Sequence, residues 1–350
     1  MKRRTGLILG GTGITGRALA AHLSTLPDWD VVSVSRGGKG DLPNVRYVTA
    51  DLSDPAACRS AFRQIPDVTH VFYTALANAP TFLQQCPPNA AMFKVALDAI
   101  VETADQLEHV CLVQGTKYYG QHLGPFKNPA RESDPRHIPP NFYYDQQDAL
   151  VRAAEAKPWS WSCVRPHLVC GFALGNPLNI ISVLGVYATL SRELGLPLRF
   201  PGKPGAFASI SQTTDAGLLA RAMTWMATDP ACANQAFNIT NGDYFRYQNL
   251  WPRLAAHFGM EPGPVQTIDL PAFMADKAPL WDSIVSRHGL LPTRFQDVAD
   301  WTFAAYTFGV DWDVMSSTTK SRQFGFVDAI DTEDMILRHM DELRARRIIP

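Results

Sequence analysis

Residues 7–20, LILGGTGITGRALA, narrow the fold more than any other stretch of the chain. A short apolar run ends in glycines at 10, 13 and 16, and an amphipathic segment follows at once. Strand, Gly-rich turn and helix in that order make the phosphate cradle of a doubly wound sheet. One glycine forms the tight turn, one lets backbone approach a pyrophosphate, and one lets helix and strand pack closely. Free N–H groups at the helix start then receive the anion. Gly-rich turns are common, so the rest of the chain has to agree.

It does so over the first 170 residues. Apolar runs predict strands at Gly6–Leu9, Val31–Val34, Val45–Val48, His70–Tyr73, His109–Val113 and Ser162–Arg165. Between them, Leu19, Leu23 and Leu26 recur at helical spacing, as do Met92, Leu97 and Ile100. Continuous apolar strands alternating with helices predict a Rossmann-like, doubly wound parallel α/β sheet covered on both faces. The expected division is a nucleotide-binding domain over 1–170, with a returning strand near 235–241, and a mixed, mainly helical substrate lobe over 171–350. In that lobe NPLNIISVLGVYATLSRELG reads as a long helix and LPLRFPGKPGA as a short strand plus turn. Further helices are predicted around Tyr247–His257 and Thr332–Arg346.

Composition excludes several classes. Charged residues make up 19% of the chain and the net charge is −1, which favours neither nucleic acid nor an anionic membrane. No apolar run approaches the ~20 residues that span a bilayer. The apolar run in MKRRTGLIL stops at the glycines, so it reads as the first strand and not as an export signal. The six cysteines lack any C-x-x-C spacing, and a reducing cytoplasm is expected. The nine histidines include no H-E-x-x-H, so no metal is expected, and no G-x-S-x-G elbow marks a serine hydrolase.

The second strand indicates which dinucleotide binds. An NAD site usually places an acid about 20 residues past the glycines. Here that tip carries Ser35 and Arg36. A guanidinium pairs with a 2′-phosphate and stacks on adenine, so NADPH/NADP+ is the expected cofactor, the plain alternative being a solvated Arg. Asp51 and Leu52 stand at the third strand tip, with Asp51 also a candidate helix N-cap. Thr12, Ile14 and Thr74 complete the expected cofactor contacts.

Chemistry points to Lys117 and Tyr143. Short-chain dehydrogenases usually carry Y-x-x-x-K, yet no Tyr here has a Lys four residues later, and Tyr143 is followed there by Gln147. Either the chain is a dead relative or its Lys comes from elsewhere. Lys117 lies just past the fifth strand, and Asn141 is placed to cap the helix that begins at FYYDQQ. Strand tip and helix meet at the crevice of such a sheet, so the two side chains can converge there.

At these residues the chain resembles the progesterone 5β-reductase/iridoid synthase-like group of atypical short-chain reductases. That group carries Thr-Gly-x-Lys-His-Tyr and Asn-Phe-Tyr-Tyr-x-x-Glu-Asp. The counterparts are QGTKYY at 114–119 and NFYYDQQD at 141–148. The likeness extends to VTHVFY, MFKVALDAI, AFNITNGDYF and FGF. It implies that Lys117 and Tyr143 are catalytic and that both touch the cofactor. The expected reaction is NADPH-dependent reduction of a double bond conjugated to a carbonyl, in a small hydrophobic enone or enal. Phe126 and Phe326 follow from the same pattern as pocket residues, and His167 from its place at the sixth strand tip, the plain alternative for His167 being a satisfied structural His. Gln114, Tyr118 and Gln147 depart from the family's Thr, His and Glu. GQHL at 120–123 enters a loop that looks shorter overall, so no plant substrate transfers.

Two other readings stand beside this one. Carbonyl reduction or sugar-nucleotide epimerisation suits the fold but lacks its Y-x-x-x-K. A non-catalytic NADP-binding sensor suits the fold but leaves Lys117 and Tyr143 without a purpose. A homodimer is compatible with the sequence, which does not require one.

Overall fold

Apolar runs with both faces buried have only one comfortable place, the interior of a parallel sheet. In the computed structural model, which describes residues 3–173 and 175–350, all six predicted runs become strands of one parallel sheet, with the third at its half-exposed edge. They are β1 (Arg4–Leu9), β2 (Trp29–Ser35), β3 (Val45–Thr49), β4 (His70–Tyr73), β5 (His109–Val113) and β6 (Ser160–Arg165). Two-residue strands β7 (Val169–Cys170) and β8 (Thr214–Asp215) pair with each other outside that sheet. Finally β9 (Gln235–Asn238) adds to the edge beside β6. The order is β3-β2-β1-β4-β5-β6-β9, every pairing parallel. The chain runs from β1 to β2 and β3 on one side, then returns to β4 on the other. A crevice therefore opens at the C-terminal ends of β1 and β4.

Alternation along each strand feeds two cores. Leu7 and Leu9 pack with α2 (Pro55–Phe62), α3 (Phe82–Thr103) and α4 (Phe142–Ala154) through Phe62, Phe93, Leu97 and Leu150. Ile8 faces α1 (Ile14–Leu23) through Leu19 and Leu23. A third cluster, built only from Cys170 onward, centres on α5 (Ile180–Glu193), Phe200, Trp251 and Phe308.

LPLRFPGKPGA departs from expectation. Leu198 makes only an isolated bridge to Pro262, and Pro204–Ala208 forms a short helix, α6. Pro197, Pro201 and Pro204 have no N–H to give a ladder, so the segment cannot extend as a strand. After it, α7 (Ala216–Thr228) returns to cover the α1 face through Leu218 and Met223. Among the described residues no helix is long and apolar enough to cross a membrane.

Candidate active site

The glycine loop closes onto the tip of β4. Gly10 has φ +90°, which a side chain rarely adopts, and a Cβ on Gly16 would stand 2.4 Å from the Gly10 carbonyl oxygen. Thr74 fastens this turn, its Oγ1 donating to the carbonyls of Leu9 (2.9 Å) and Gly10 (3.2 Å). Gly13 is the N-cap of α1 and supplies no side-chain acceptor, so the first helical N–H groups stay open to an anion. This close backbone approach fits a pyrophosphate. Thr12 is exposed beside it, while Ile14 is buried. The Ile14 Cγ2 lies 3.0 Å from where a Cβ on Gly171 would stand, so the chain after β6 crosses the start of α1.

At the next two strand tips, Ser35 Oγ accepts from the Gly38 N–H at 3.1 Å. Arg36 is exposed and forms no ion pair among the described residues. Asp51 accepts from both the N–H and the hydroxyl of Ser53, at 2.9 and 2.6 Å. Those bonds, aided by the Arg36 charge, hold its carboxyl below the usual range. The expected N-cap role falls instead to Asp54, which accepts from Ala56 and Ala57 N–H. The turn at Asp51–Ser53 has already used the Asp51 carboxylate, and the helix begins at Pro55. Leu52 is buried beneath the turn.

Beyond β5 the chain winds through a short 3₁₀ turn, Thr116–Tyr119, which turns Lys117 inward. Its Nζ sits 5.0 Å from the Phe82 ring centre and 5.5 Å from that of Tyr306. Among the described residues no group accepts a hydrogen bond from it. Burial pulls the ammonium pKa down, and the two ring faces offset part of that cost.

Tyr143, in the first turn of α4, shares the Phe82 neighbour with Lys117. Its ring lies 6.4 Å from Phe82, and its hydroxyl is 3.2 Å from where a Cβ on Gly115 would stand. Burial first, then Tyr306, pushes its phenol pKa up, so it is a neutral donor. The two tyrosines of the pair differ in what they have left to give. Tyr144 donates to the Tyr118 carbonyl (2.6 Å) and accepts from the His137 N–H (2.8 Å). The Tyr143 hydroxyl has no hydrogen-bond partner among the described residues.

Asn141 ties the two halves together. Its Oδ1 accepts from the Tyr143 N–H at 3.1 Å and its Nδ2 donates to the Lys117 carbonyl at 2.9 Å. The N-cap of α4 is thus also the clamp that fixes the Lys117 turn against it.

The remaining expected pocket residues divide. His167 pairs through Nδ1 with Thr116 Oγ1 at 2.7 Å, next to Lys117, and burial pushes its pKa down to about 4. Phe126, like Tyr143, packs against the buried cluster of Tyr118, Tyr119, Ala130 and Tyr144. Phe326 is not brought to this spot; it stacks on Trp225 at 5.3 Å in the α1-side core, because the closing FGF segment folds over α7. Sequence reasoning missed Phe82, His122 and Tyr306. The His122 ring lies 4.1 Å from Phe82, and Tyr306 donates to Gln121 Oε1 at 3.4 Å. The GQHL stretch carried the only hint of the first contact.

The three departures from the family motif meet at one residue. Arg165, at the end of β6 and only 1% exposed, donates from Nε to Gln114 Oε1 at 2.9 Å. It also donates to Gln147 Oε1 at 3.2 Å, and its guanidinium carbon lies 3.4 Å from the Tyr118 ring centre. Gln114 in turn donates to the Tyr143 carbonyl at 3.0 Å.

A model of the PRISE-like Rossmann-fold domain matches residues 7–350. An (S)-8-oxocitronellyl enol synthase of Camptotheca acuminata is 36% identical, covering 98% of this chain and 93% of that one. A 3-oxo-Delta(4,5)-steroid 5-beta-reductase of Arabidopsis thaliana is 35% identical, covering 98% and 92%. Among solved structures, the UDP-glucose 4-epimerase of Thermotoga maritima superposes with TM-score 0.70 at 16% identity, over 97% of this chain and 99% of that one. The last likeness is one of fold.

Proposed function

The chain belongs to the family of PRISE-like Rossmann-fold enzymes and is an oxidoreductase, and on that footing we propose that it uses NADPH to reduce the carbon–carbon double bond of α,β-unsaturated carbonyl compounds. The observation that carries this reading is the Asn141 clamp, which holds the Lys117 turn against the start of α4 and so brings an unpaired ammonium and an unpaired phenol to the same Phe82 ring. The relatives' names fit it. One contains an enol and the other the 5β-reduction of a 3-oxo-Δ4,5-steroid. A single step underlies both, since hydride added to the β-carbon of an enone leaves an enolate.

The cradle at Gly10, Gly13 and Gly16 would hold the pyrophosphate, and Arg36 the 2′-phosphate. The bound dinucleotide supplies the hydride. Tyr143 donates a hydrogen bond to the substrate carbonyl oxygen and stabilises negative charge as it develops there, an effect worth ~3–4 kcal/mol for one well-aimed donor. Lys117 keeps the local potential positive and can grip a ribose hydroxyl. Water delivers the α-proton, so Tyr143 need not lose its own. Phe82, with Phe142 and His122 packed on it, and Tyr306 across Lys117 would offer an aromatic surface to a small or medium hydrophobic enone or enal, a steroid 4-en-3-one included.

The test is NADPH consumption with 2-cyclohexen-1-one and progesterone, with product identity read by mass spectrometry. Saturated ketone is expected from the wild type, with a large loss of turnover in Tyr143→Phe and Lys117→Met. An allylic alcohol as product, or NADPH binding without turnover of any enone in a broad panel, contradicts the proposal.

A further inference from the structure

The α4 face of the sheet carries a second concavity, which the reaction above does not use. It is an open groove of about 520 Å³, floored by Trp161 and Arg165 of β6 and Ala236 of β9. Its rim brings Arg131 and Glu132 from one segment and Thr319 and Lys320 from another. Three cations line it, and none forms an ion pair among the described residues. Arg165 is buried, with three of its N–H groups spent on uncharged acceptors: Gln114 Oε1, Gln147 Oε1 and the Tyr119 hydroxyl. A guanidinium carries five such donors, so two remain. The Lys320 ammonium likewise meets only neutral oxygens, Gln235 Oε1 at 2.8 Å and the Ala236 carbonyl at 2.9 Å. Arg131 is exposed and its guanidinium makes no hydrogen bond among the described residues, though its charge acts on Asp134.

The one carboxylate in the lining, Glu132, has an oxygen committed to the Asn238 N–H at 2.8 Å. Burial is the largest influence on it and pushes its pKa up. Gln147 is an amide, so the α4 side chain that meets Arg165 brings no charge to it. The Glu132 charge acts on both Arg165 and Lys320, so three cations face one carboxylate, and a cleft with such an excess of one sign concentrates the opposite ion. We propose that this groove binds a small organic anion, a carboxylate or a phosphate ester, whose charged end sits between Arg165, Lys320 and Arg131. The hydroxyls of Ser133 and Thr319 on the rim are available as further donors.

The experiment is calorimetric titration of the full chain, with NADP+ present in excess to fill the glycine cradle. Inorganic phosphate and benzoate serve as separate probes that distinguish a tetrahedral from a planar anion. Binding of at least one is expected. It should weaken about tenfold or more in Arg131→Glu, a surface change that leaves the fold alone, and in Gln147→Glu, which supplies the missing carboxylate from within. Arg192→Ala, which removes an exposed cation on α5 outside the groove, should leave it unchanged. No heat with either probe overturns the site, and so does binding that survives both groove variants or is lost in Arg192→Ala. Because the readout is binding and not turnover, enone reduction can fail without touching this result.

Discussion

At the scale of single residues, the adjacent tyrosines separate structure from chemistry. The Tyr144 hydroxyl makes two hydrogen bonds and the Tyr143 hydroxyl none among the described residues. Tyr144→Phe should therefore lower stability by about 1 kcal/mol with little change in kcat. Tyr143→Phe should reduce kcat by about 10²–10³ with little change in Tm, by the usual worth of one oxyanion donor. Denaturant melts alongside steady-state rates check both. Asn141 gives a sharper contrast. Asn141→Ala should cost about 1 kcal/mol as a lost N-cap. Asn141→Asp keeps the cap but loses the donor to the Lys117 carbonyl, so its stability should stay near wild type while turnover falls. Lys117 and Tyr143 were readable because each sits in a motif with local spacing. Tyr306 and Phe82 were not, since they come from separate elements and nothing in their neighbours' spacing announces a shared cation. Arg165 read as no more than a strand end, because its partners are spread over β5, α4 and the turn between them.

At the scale of elements, strands buried on both faces were legible almost to their ends, and segments held by remote contacts were not. The helix predicted from Met92, Leu97 and Ile100 begins earlier, at Phe82, where Thr81 and Gln84 form a reciprocal capping box. The C-terminal helix Thr332–Ala345 was legible from its periodicity, but its docking was not. His339 lies on it and contacts Asp215, the N-cap of α7, at 3.2 Å. Burial alone would lower the His339 pKa, yet hydrogen bonds with Asp215 and Glu342 outweigh it and raise the value above its ordinary 6.5. The sign follows from linkage: this contribution is fully present below pH 6.5 and is lost as pH rises through the raised folded value. The wild-type melting temperature should therefore fall across that window more steeply than that of His339→Gln. Equal slopes would exclude His339 as the cause.

At the scale of the whole molecule, the strand order brings chemistry from distant sequence to one crevice. The glycine loop after β1, the Lys117 turn after β5 and the start of α4 all belong to the same end of the sheet. Cofactor choice is tested at this scale. Arg36→Ala should weaken NADPH far more than NADH, measured as dissociation constants, and equal losses would remove the 2′-phosphate contact. The fold could be inferred from alternation alone, whereas the meeting of amine and phenol needed the topology as well. A crystal structure of the chain with NADP+ tests that meeting most directly. The account predicts the Lys117 ammonium within hydrogen-bond reach of the nicotinamide ribose, and the Tyr143 hydroxyl facing the space above the ring. A nicotinamide seated away from both side chains would contradict it.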